Sequence, residues 1–136
     1  MNPTRPVGIV LVSHSAAVAT AVAELAAGLA GGGGTAPVAA AGGTPDGGLG
    51  TSSELITRAA REVDGGAGVA VLVDLGSAVL TVKALLAEGD ELPDGTRLLD
   101  APFVEGAVAA LVTASAGGDL DAVEAAASEA YGYRKV

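Results

Sequence analysis

The chain of 136 residues contains no cysteine, no tryptophan and a single histidine. Without cysteine there are no disulfides and no thiolate metal site. Aromatic residues make up only 2 % of the chain, too few for the stacking surfaces that bind single-stranded nucleic acid. Every apolar run is far shorter than a membrane span of about 18 residues, and no secretory signal is visible. We therefore expect a cytoplasmic protein that contacts neither membrane nor nucleic acid.

Basic residues are also scarce, since 7 Lys and Arg stand against 16 Asp and Glu, for a net charge of −9. This charge disfavours binding to a phosphate backbone, but it would steer the chain toward basic protein partners. Hydrophobic residues, by contrast, make up 50 % of the chain, which is enough for a sizeable core. We expect a single domain over residues 1–136, with an ordered core at about 7–130 and a tail at 131–136.

Strand patterns alternate with helix patterns along the chain. They predict strands at about 7–12, 37–41, 69–73 and 97–99, and helices at about 15–30, 51–63, 78–87, 104–114 and 120–130. The third strand is a continuous apolar run, which is typical of a parallel strand covered on both faces. The order predicts an α/β fold, with an open, mostly parallel sheet of four to five strands and helices on both faces.

Local patterns define the ends and faces of the helices. In the first helix, four residues at helical spacing predict one apolar face: Val18, Val22, Leu25 and Leu29. The glycines at 31–34 end this helix. Thr51 and Glu54 have the spacing of a capping box at the start of the second helix. Asp119 is expected to cap the last one.

The most informative residue is His14, which follows the first strand and comes just before the first helix. In open α/β sheets, ligands bind where the carboxyl ends of strands meet the amino ends of helices. The start of a helix offers free N–H groups and a positive dipole end, which suit a phosphate. His14 is therefore the candidate nucleophile or phosphate acceptor, and we expect the first helix to supply N–H groups to the phosphate. The alternative is a half-exposed turn histidine without a function.

Asp74 follows the apolar third strand directly. An aspartate that is hydrogen-bonded to one imidazole nitrogen fixes the tautomer and leaves the other nitrogen free to attack. The first and third strands of a doubly wound sheet are commonly neighbours, so we predict that Asp74 is the partner of His14. The alternative is a cap or turn residue before the third helix.

Further polar and glycine residues are expected at the same edge of the sheet. Hydroxyls can bind phosphate oxygens, and glycines let a phosphate or a partner approach closely. The candidates are Ser13, Ser15, Gly43, Thr44, Gly76 and Ser77. The glycine-rich loop 42–50 has neither the lysine of a P-loop nor the position of a dinucleotide fingerprint, and it is either part of the site or only a flexible connection. No cluster of metal ligands is visible, so we expect no metal and no cofactor.

Five segments, taken in order, resemble one family. They are residues 10–15 (VLVSHS), 42–44 (GGT), 49–52 (LGTS), 73–80 (VDLGSAVL) and 101–106 (APFVEG). Together they look like the phosphocarrier subunits of phosphotransferase-system-dependent dihydroxyacetone kinases, which belong with the mannose-type enzyme IIA domains. The similarity runs from about residue 7 to residue 123. The tail and the long glycine turn depart from the family pattern.

The resemblance implies a phosphotransferase with a phosphohistidine intermediate. On this basis His14 accepts a phosphoryl group from the histidine carrier protein HPr, and Asp74 assists it. The phosphoryl group then passes to ADP on the nucleotide-binding subunit of the kinase. The regenerated ATP serves the subunit that binds dihydroxyacetone. The resemblance also implies a homodimer.

Two other functions stay open: a mannose-type enzyme IIA domain of a sugar-transporting system, and a regulatory module with an inert histidine. The DLGSAVL segment favours the kinase over the sugar system. A histidine phosphatase and a tetrapyrrole chelatase are disfavoured because the chain has no second histidine. A receiver domain is disfavoured because Ser-His-Ser occupies the place of its magnesium-binding acidic residues.

Overall fold

The computed structural model describes residues 5–31 and 34–136. Its strands are β1 (Gly8–Ser13), β2 (Val38–Gly42), β3 (Val69–Val73) and β4 (Thr96–Leu98), and its helices are α1 (Ala16–Leu29), α2 (Ser53–Val63), α3 (Gly76–Glu88), α4 (Phe103–Ser115) and α5 (Leu120–Glu129). A 3₁₀ helix at Ala130–Gly132 follows α5. Helix α1 ends before the glycine run at 31–34, of which residues 32 and 33 lie outside the described ranges.

The strands form one parallel sheet in the order β2-β1-β3-β4. Strand β1 pairs with both β2 and β3, so the two strands that precede the candidate site are neighbours. The predicted α/β class with a parallel, open sheet of four strands is confirmed. None of the helices in the described ranges combines the length and the apolar character that crossing a membrane requires.

Helices cover both faces of the sheet, as predicted. Alternate residues of a strand point to opposite faces, and β1 is buried along its whole length. Ile9 and Leu11 belong to the core beneath α1, α4 and α5. Val10 and Val12 belong to the second core, beneath α2 and α3. The central strands are therefore packed on both faces, and this packing fixes the position of the residues that follow them.

The predicted apolar face of α1 is wrong in its orientation. Val18, Leu25 and Leu29 are 45 %, 46 % and 63 % exposed, whereas the residues buried along this helix are Ala19, Val22 and Ala26. Helix α1 packs against both the sheet and α4. Small alanine side chains allow that close approach, and the larger leucines are left at the surface.

The predicted capping box of α2 is also wrong, because the N-cap is one residue later and the residue three positions after it is Leu55 and not a glutamate. Ser52 is the N-cap, and its hydroxyl accepts a hydrogen bond from the Leu55 N–H at 3.2 Å. The Thr51 hydroxyl instead lies 2.9 Å from that of Thr81 in α3. Asp119 caps α5 as predicted, because its carboxylate accepts from the Ala122 N–H.

Gly42 brings the end of β2 against the beginning of α1. A Cβ atom at this position would lie 2.4 Å from the Ser15 carbonyl oxygen and 2.7 Å from the Ala16 Cα. Both neighbours are backbone atoms that cannot rotate away, so only glycine fits. This contact fixes the position of the 13–16 segment, on which His14 lies.

Candidate functional site

The site lies at the carboxyl ends of the neighbouring strands β1 and β3. Val12 and Val73 are paired in the sheet, and the Asp74 N–H donates to the Val12 carbonyl at 3.1 Å. This hydrogen bond extends the pairing of β1 and β3 by one residue beyond the end of β3. It places Asp74 beside His14, although 60 positions separate them in the sequence.

The Asp74 carboxylate binds four hydrogen-bond donors. Its Oδ2 accepts from the Ser13 hydroxyl at 2.9 Å and from the His14 backbone N–H at 3.0 Å. Its Oδ1 accepts from the Leu75 N–H at 2.7 Å and lies 3.0 Å from the His14 Nδ1. Asp74 thus holds both the backbone and the ring of His14.

These contacts also control the charge of Asp74. Partial burial disfavours the ionised carboxyl, but the hydrogen bonds from the His14 N–H, Ser13 Oγ, the His14 ring and the Leu75 N–H outweigh it. Together they hold the pKa of Asp74 below its ordinary value of 3.8. Asp74 is therefore an anion at neutral pH, and its Oδ1 accepts a hydrogen bond from the His14 Nδ1–H.

The other nitrogen of the ring faces Ser77. His14 Nε2 lies 2.5 Å from the Ser77 hydroxyl oxygen. Since Asp74 keeps the ring proton on Nδ1, Nε2 carries a lone pair, and the Ser77 hydroxyl donates to it. The His14 side chain is 23 % exposed, so Nε2 can be reached from solvent.

Helix α3 begins at Gly76, two residues earlier than predicted, and this places Ser77 in its first turn. The N-cap, Leu75, contributes no side-chain hydrogen bond within the described part of the chain. The first N–H groups of α3 have no intrahelical acceptor, and the Ser77 hydroxyl in the same turn lies next to His14 Nε2. The ring lies next to Ser77 in α3, whereas Ser15 caps α1 through the Val18 N–H. The expectation that α1 supplies N–H groups to a phosphate stays a prediction.

Ser13 and Ser15 hold the backbone that carries His14. Ser13 is buried, and its hydroxyl donates to Asp74 and accepts from the Ser15 N–H at 3.1 Å. The Ser15 hydroxyl accepts from the Val18 N–H as the N-cap of α1. Both hydroxyls are engaged in these contacts, so in this structure they serve the shape of the turn.

The glycine-rich loop packs against the same turn through its backbone. The Gly43 N–H donates to the Ser13 carbonyl at 3.1 Å, and the Gly50 N–H donates to the His14 carbonyl at 2.9 Å. Gly43 has a φ of 70°, which favours glycine. The Thr44 hydroxyl donates to Asp46 and accepts from the Gly48 N–H, and it makes no hydrogen bond to His14 or Asp74.

A groove of about 410 Å³ opens on the other side of Asp74, between the start of α3 and the chain that follows β4. Asp100 lies in this groove and accepts a hydrogen bond from the Tyr131 hydroxyl at 2.8 Å. Lys135 pairs with Glu105. The predicted tail at 131–136 therefore folds back over the neighbourhood of the site. Sequence patterns carried no signal for this contact.

The described residues contain no group of three or more His, Cys, Asp or Glu side chains arranged to hold a metal ion. The groups that the structure brings together at this edge are His14, its carboxylate partner Asp74, the Ser77 hydroxyl and the N–H groups at the start of α3. Such a set can activate a nitrogen or oxygen nucleophile and can bind an anion next to it.

Comparison with known proteins shows which family this chain resembles. A family model described as "PTS system fructose IIA component", named EIIA-man, matches residues 8–124. A relative from Listeria innocua, named PEP-dependent dihydroxyacetone kinase 2, phosphoryl donor subunit DhaM, is 36 % identical over 107 residues. That match covers 78 % of this chain and 84 % of the relative.

Longer relatives share the same region. Phosphoryl donor subunits DhaM from Pantoea ananatis and Escherichia coli are 38 % and 36 % identical over 119 residues, or 86 % of this chain. The chain spans only 25 % of the length of either protein. The solved structure of a protein of unknown function, EF1359, aligns with a TM-score of 0.79 at 30 % identity, over 96 % of this chain and 98 % of that one.

Proposed function

We propose a phosphocarrier function for this chain, which belongs to the EIIA-man family of phosphotransferase-system components. The observation that carries the proposal is that the two nitrogens of the His14 ring have different partners. Nδ1 is bonded to an anionic carboxylate, and Nε2 is accessible beside a hydroxyl and a helix start. His14 is the phosphoryl acceptor, and Nε2 is the nitrogen that becomes phosphorylated.

Asp74 acts by fixing the tautomer and the orientation of the ring. With the proton held on Nδ1, the Nε2 lone pair can attack phosphorus in line while the donor's N–P bond breaks. The positive charge that develops on the imidazole is stabilised by the carboxylate 3.0 Å away. The phosphohistidine that forms retains a high transfer potential, so positioning contributes most of the catalysis.

The new phosphoryl group would displace the Ser77 hydroxyl from Nε2. That hydroxyl can then donate to a phosphoryl oxygen, and the N–H groups of Gly76 and Ser77 can bind the others at the positive end of the α3 dipole. Ser13, Ser15 and the backbone of Gly43 support the turn. Thr44 reaches the phosphoryl group only if it releases its present contacts within the loop.

We further propose that phospho-HPr donates the phosphoryl group and that ADP on a kinase subunit accepts it, so that dihydroxyacetone is the final acceptor. The support comes from the relatives that are named phosphoryl donor subunits of PEP-dependent dihydroxyacetone kinases. An open site that holds no nucleotide-binding motif fits a protein that serves two partners in turn. A cytoplasmic location and a homodimer belong to the same proposal.

A second candidate is the enzyme IIA domain of a sugar-transporting system. The observation in its favour is the description of the matching family as a fructose IIA component. Both candidates use His14 in the same way, and they differ only in the downstream acceptor.

The test is incubation of the protein with phosphoenolpyruvate, enzyme I and HPr, followed by mapping of acid-labile phosphate by mass spectrometry. We expect one phosphate, on His14, and none on the His14→Ala variant. Discharge of the isolated phosphoprotein by ADP-loaded kinase subunit identifies the acceptor. Uptake of phosphate by His14→Ala, or rapid discharge to free ADP alone, would contradict the proposal.

A further inference from the structure

Three side chains at this site form a connected line of hydrogen bonds. Asp74 Oδ1 lies 3.0 Å from His14 Nδ1, and His14 Nε2 lies 2.5 Å from Ser77 Oγ. This is the order of contacts in a carboxylate–imidazole–serine triad, which is recognised by geometry and roles and recurs on unrelated folds. The proposed phosphocarrier function uses Ser77 only as a hydrogen-bond donor, and it leaves the nucleophilic capacity of Ser77 unassigned.

The parts needed to activate Ser77 are in place. Asp74 is held by the Ser13 hydroxyl and by two backbone N–H groups, so the orientation of the imidazole is fixed independently of Ser77. The Nε2 lone pair is within reach of the hydroxyl proton, as a general base requires. Ser77 is exposed, so a small electrophile can approach its Oγ.

The start of α3 supplies the remaining element. Ser77 is the second residue of the helix, and Leu75 provides no side-chain cap. The N–H groups of Gly76 and Ser77 are the first two of the helix and have no intrahelical acceptor. They lie beside the Ser77 hydroxyl, where a tetrahedral intermediate would place its oxyanion.

We propose that Ser77 is a site of covalent acylation by small activated carboxylic esters, with His14 as general base and Asp74 as the residue that orients it. In the first step the Ser77 O–H proton moves to His14 Nε2 and Oγ forms a bond to the carbonyl carbon. The bond from that carbon to the leaving oxygen then breaks, and the Nε2 proton passes to the departing alkoxide or phenolate, directly or through solvent, so that His14 is neutral again. In the second step His14 activates a water, which releases the carboxylate and regenerates Ser77.

Phosphoryl migration from His14 to Ser77 is excluded by the same geometry. In-line attack needs the incoming oxygen opposite the leaving nitrogen, whereas Ser77 Oγ lies next to that nitrogen. Acyl transfer has no such requirement, because the nucleophile attacks the face of a planar carbonyl. Acylation would occupy the space beside Nε2, so it would compete with phosphorylation.

The test uses p-nitrophenyl acetate as the probe. We expect release of p-nitrophenolate together with an acetyl group on the peptide that contains Ser77. The Ser77→Ala and His14→Ala variants should each release p-nitrophenolate at least about tenfold more slowly, since a positioned general base contributes at least that much. Ser53→Ala is the matched control, because Ser53 is also exposed in the first turn of a helix but has no histidine beside it. Its rate should not change.

A second variant tests the activation without an ester. The chain has no cysteine, so Ser77→Cys introduces its only thiol. Iodoacetamide should alkylate this variant about tenfold faster than the double variant Ser77→Cys/His14→Ala, because the imidazole takes the thiol proton.

An acetyl group found on His14, or acylation that persists in Ser77→Ala, would show that the imidazole attacks directly and would overturn the proposal. Equal alkylation of the two thiol variants would do the same. These readouts are independent of HPr and of phosphate. A failure here leaves the phosphocarrier function standing, and a failure of phosphorylation leaves this inference standing.

Discussion

Replacing Asp74 by asparagine isolates the role of its second oxygen. The carboxylate accepts two donors on each oxygen, and one donor of each pair is a backbone N–H, of His14 or of Leu75. The amide has one oxygen and one NH₂ group. Whichever way it turns, the NH₂ faces a backbone N–H that has no other acceptor in the described residues. An unmade bond of this kind to a formerly charged group costs about 2 kcal/mol of unfolding free energy.

The effect on chemistry should exceed the effect on stability. If the amide oxygen faces Leu75, the ring keeps its tautomer but loses the charge that stabilises imidazolium. If the NH₂ faces the ring, the proton moves to Nε2 and blocks attack. We expect phosphorylation by phospho-HPr to slow by about 10²-fold or more. Rapid-quench measurement gives the rate, and urea unfolding followed by circular dichroism gives the stability.

The stability difference should also depend on pH. The pKa of Asp74 is lowered in the folded state, so its contribution is complete above the ordinary value of 3.8 and disappears as the pH falls through the lowered folded value. The unfolding curves of wild type and Asp74→Asn should therefore converge in acid. Asp100→Asn is the control, because this carboxylate at the end of the neighbouring strand bonds Tyr131 and makes no hydrogen bond to His14. Normal transfer by Asp74→Asn, or an equal loss in Asp100→Asn, would refute the reasoning.

Three further outcomes are expected. Gly42→Ala should lower the unfolding free energy by about 2 kcal/mol or more, because its Cβ would meet backbone atoms at the start of α1. Gly28→Ala, at an open position within α1, should raise the unfolding free energy by about 0.5–1 kcal/mol. Chemical denaturation of both variants checks the sign of each change. Ser13→Ala should lower the unfolding free energy by about 1–2 kcal/mol, since the Ser15 N–H loses its acceptor at a partly buried position, and an unchanged denaturation midpoint would contradict this. The hydrogen bond to Asp100, with smaller contributions from burial and from the Asp100 charge, raises the pKa of Tyr131 above 10.0. Ultraviolet titration of a Tyr133→Phe protein should show this raised pKa, and adding Asp100→Asn should bring it closer to 10.0.

The sequence predicted best what depends on continuous burial. β1 and β3 were located to within one residue because both are unbroken apolar runs, and a run of that kind has few alternatives to a central strand. Their adjacency followed from topology. The pairing of His14 with a carboxylate is therefore predictable from the sequence alone.

The sequence-based predictions are wrong where side-chain size decides which residue is buried, or where two neighbouring residues are equally suited to cap a helix. Hydrophobicity favoured Leu25 over Ala26 on the inner face of α1, but the close packing of α1 on α4 selects the smaller residue. Thr51 and Ser52 are both residue types that cap helices well. The Thr51 hydroxyl is hydrogen-bonded to Thr81 in α3, and Ser52 is the N-cap of α2. The contact between Tyr131 and Asp100 joins residues 31 positions apart without any periodic signal.

The distance of 60 positions between His14 and Asp74 has a consequence for how this chain acquires its chemistry. No local hairpin can bring them together, and the entropy of closing so long a loop is offset only when β1 and β3 are paired and covered. A fragment with one of these strands holds half a site. Under the proposed function, the fraction of molecules that accept a phosphoryl group should therefore equal the fraction in which β1 and β3 are paired. Phosphorylation of His14 is then expected to report on the long-range folding of its own chain.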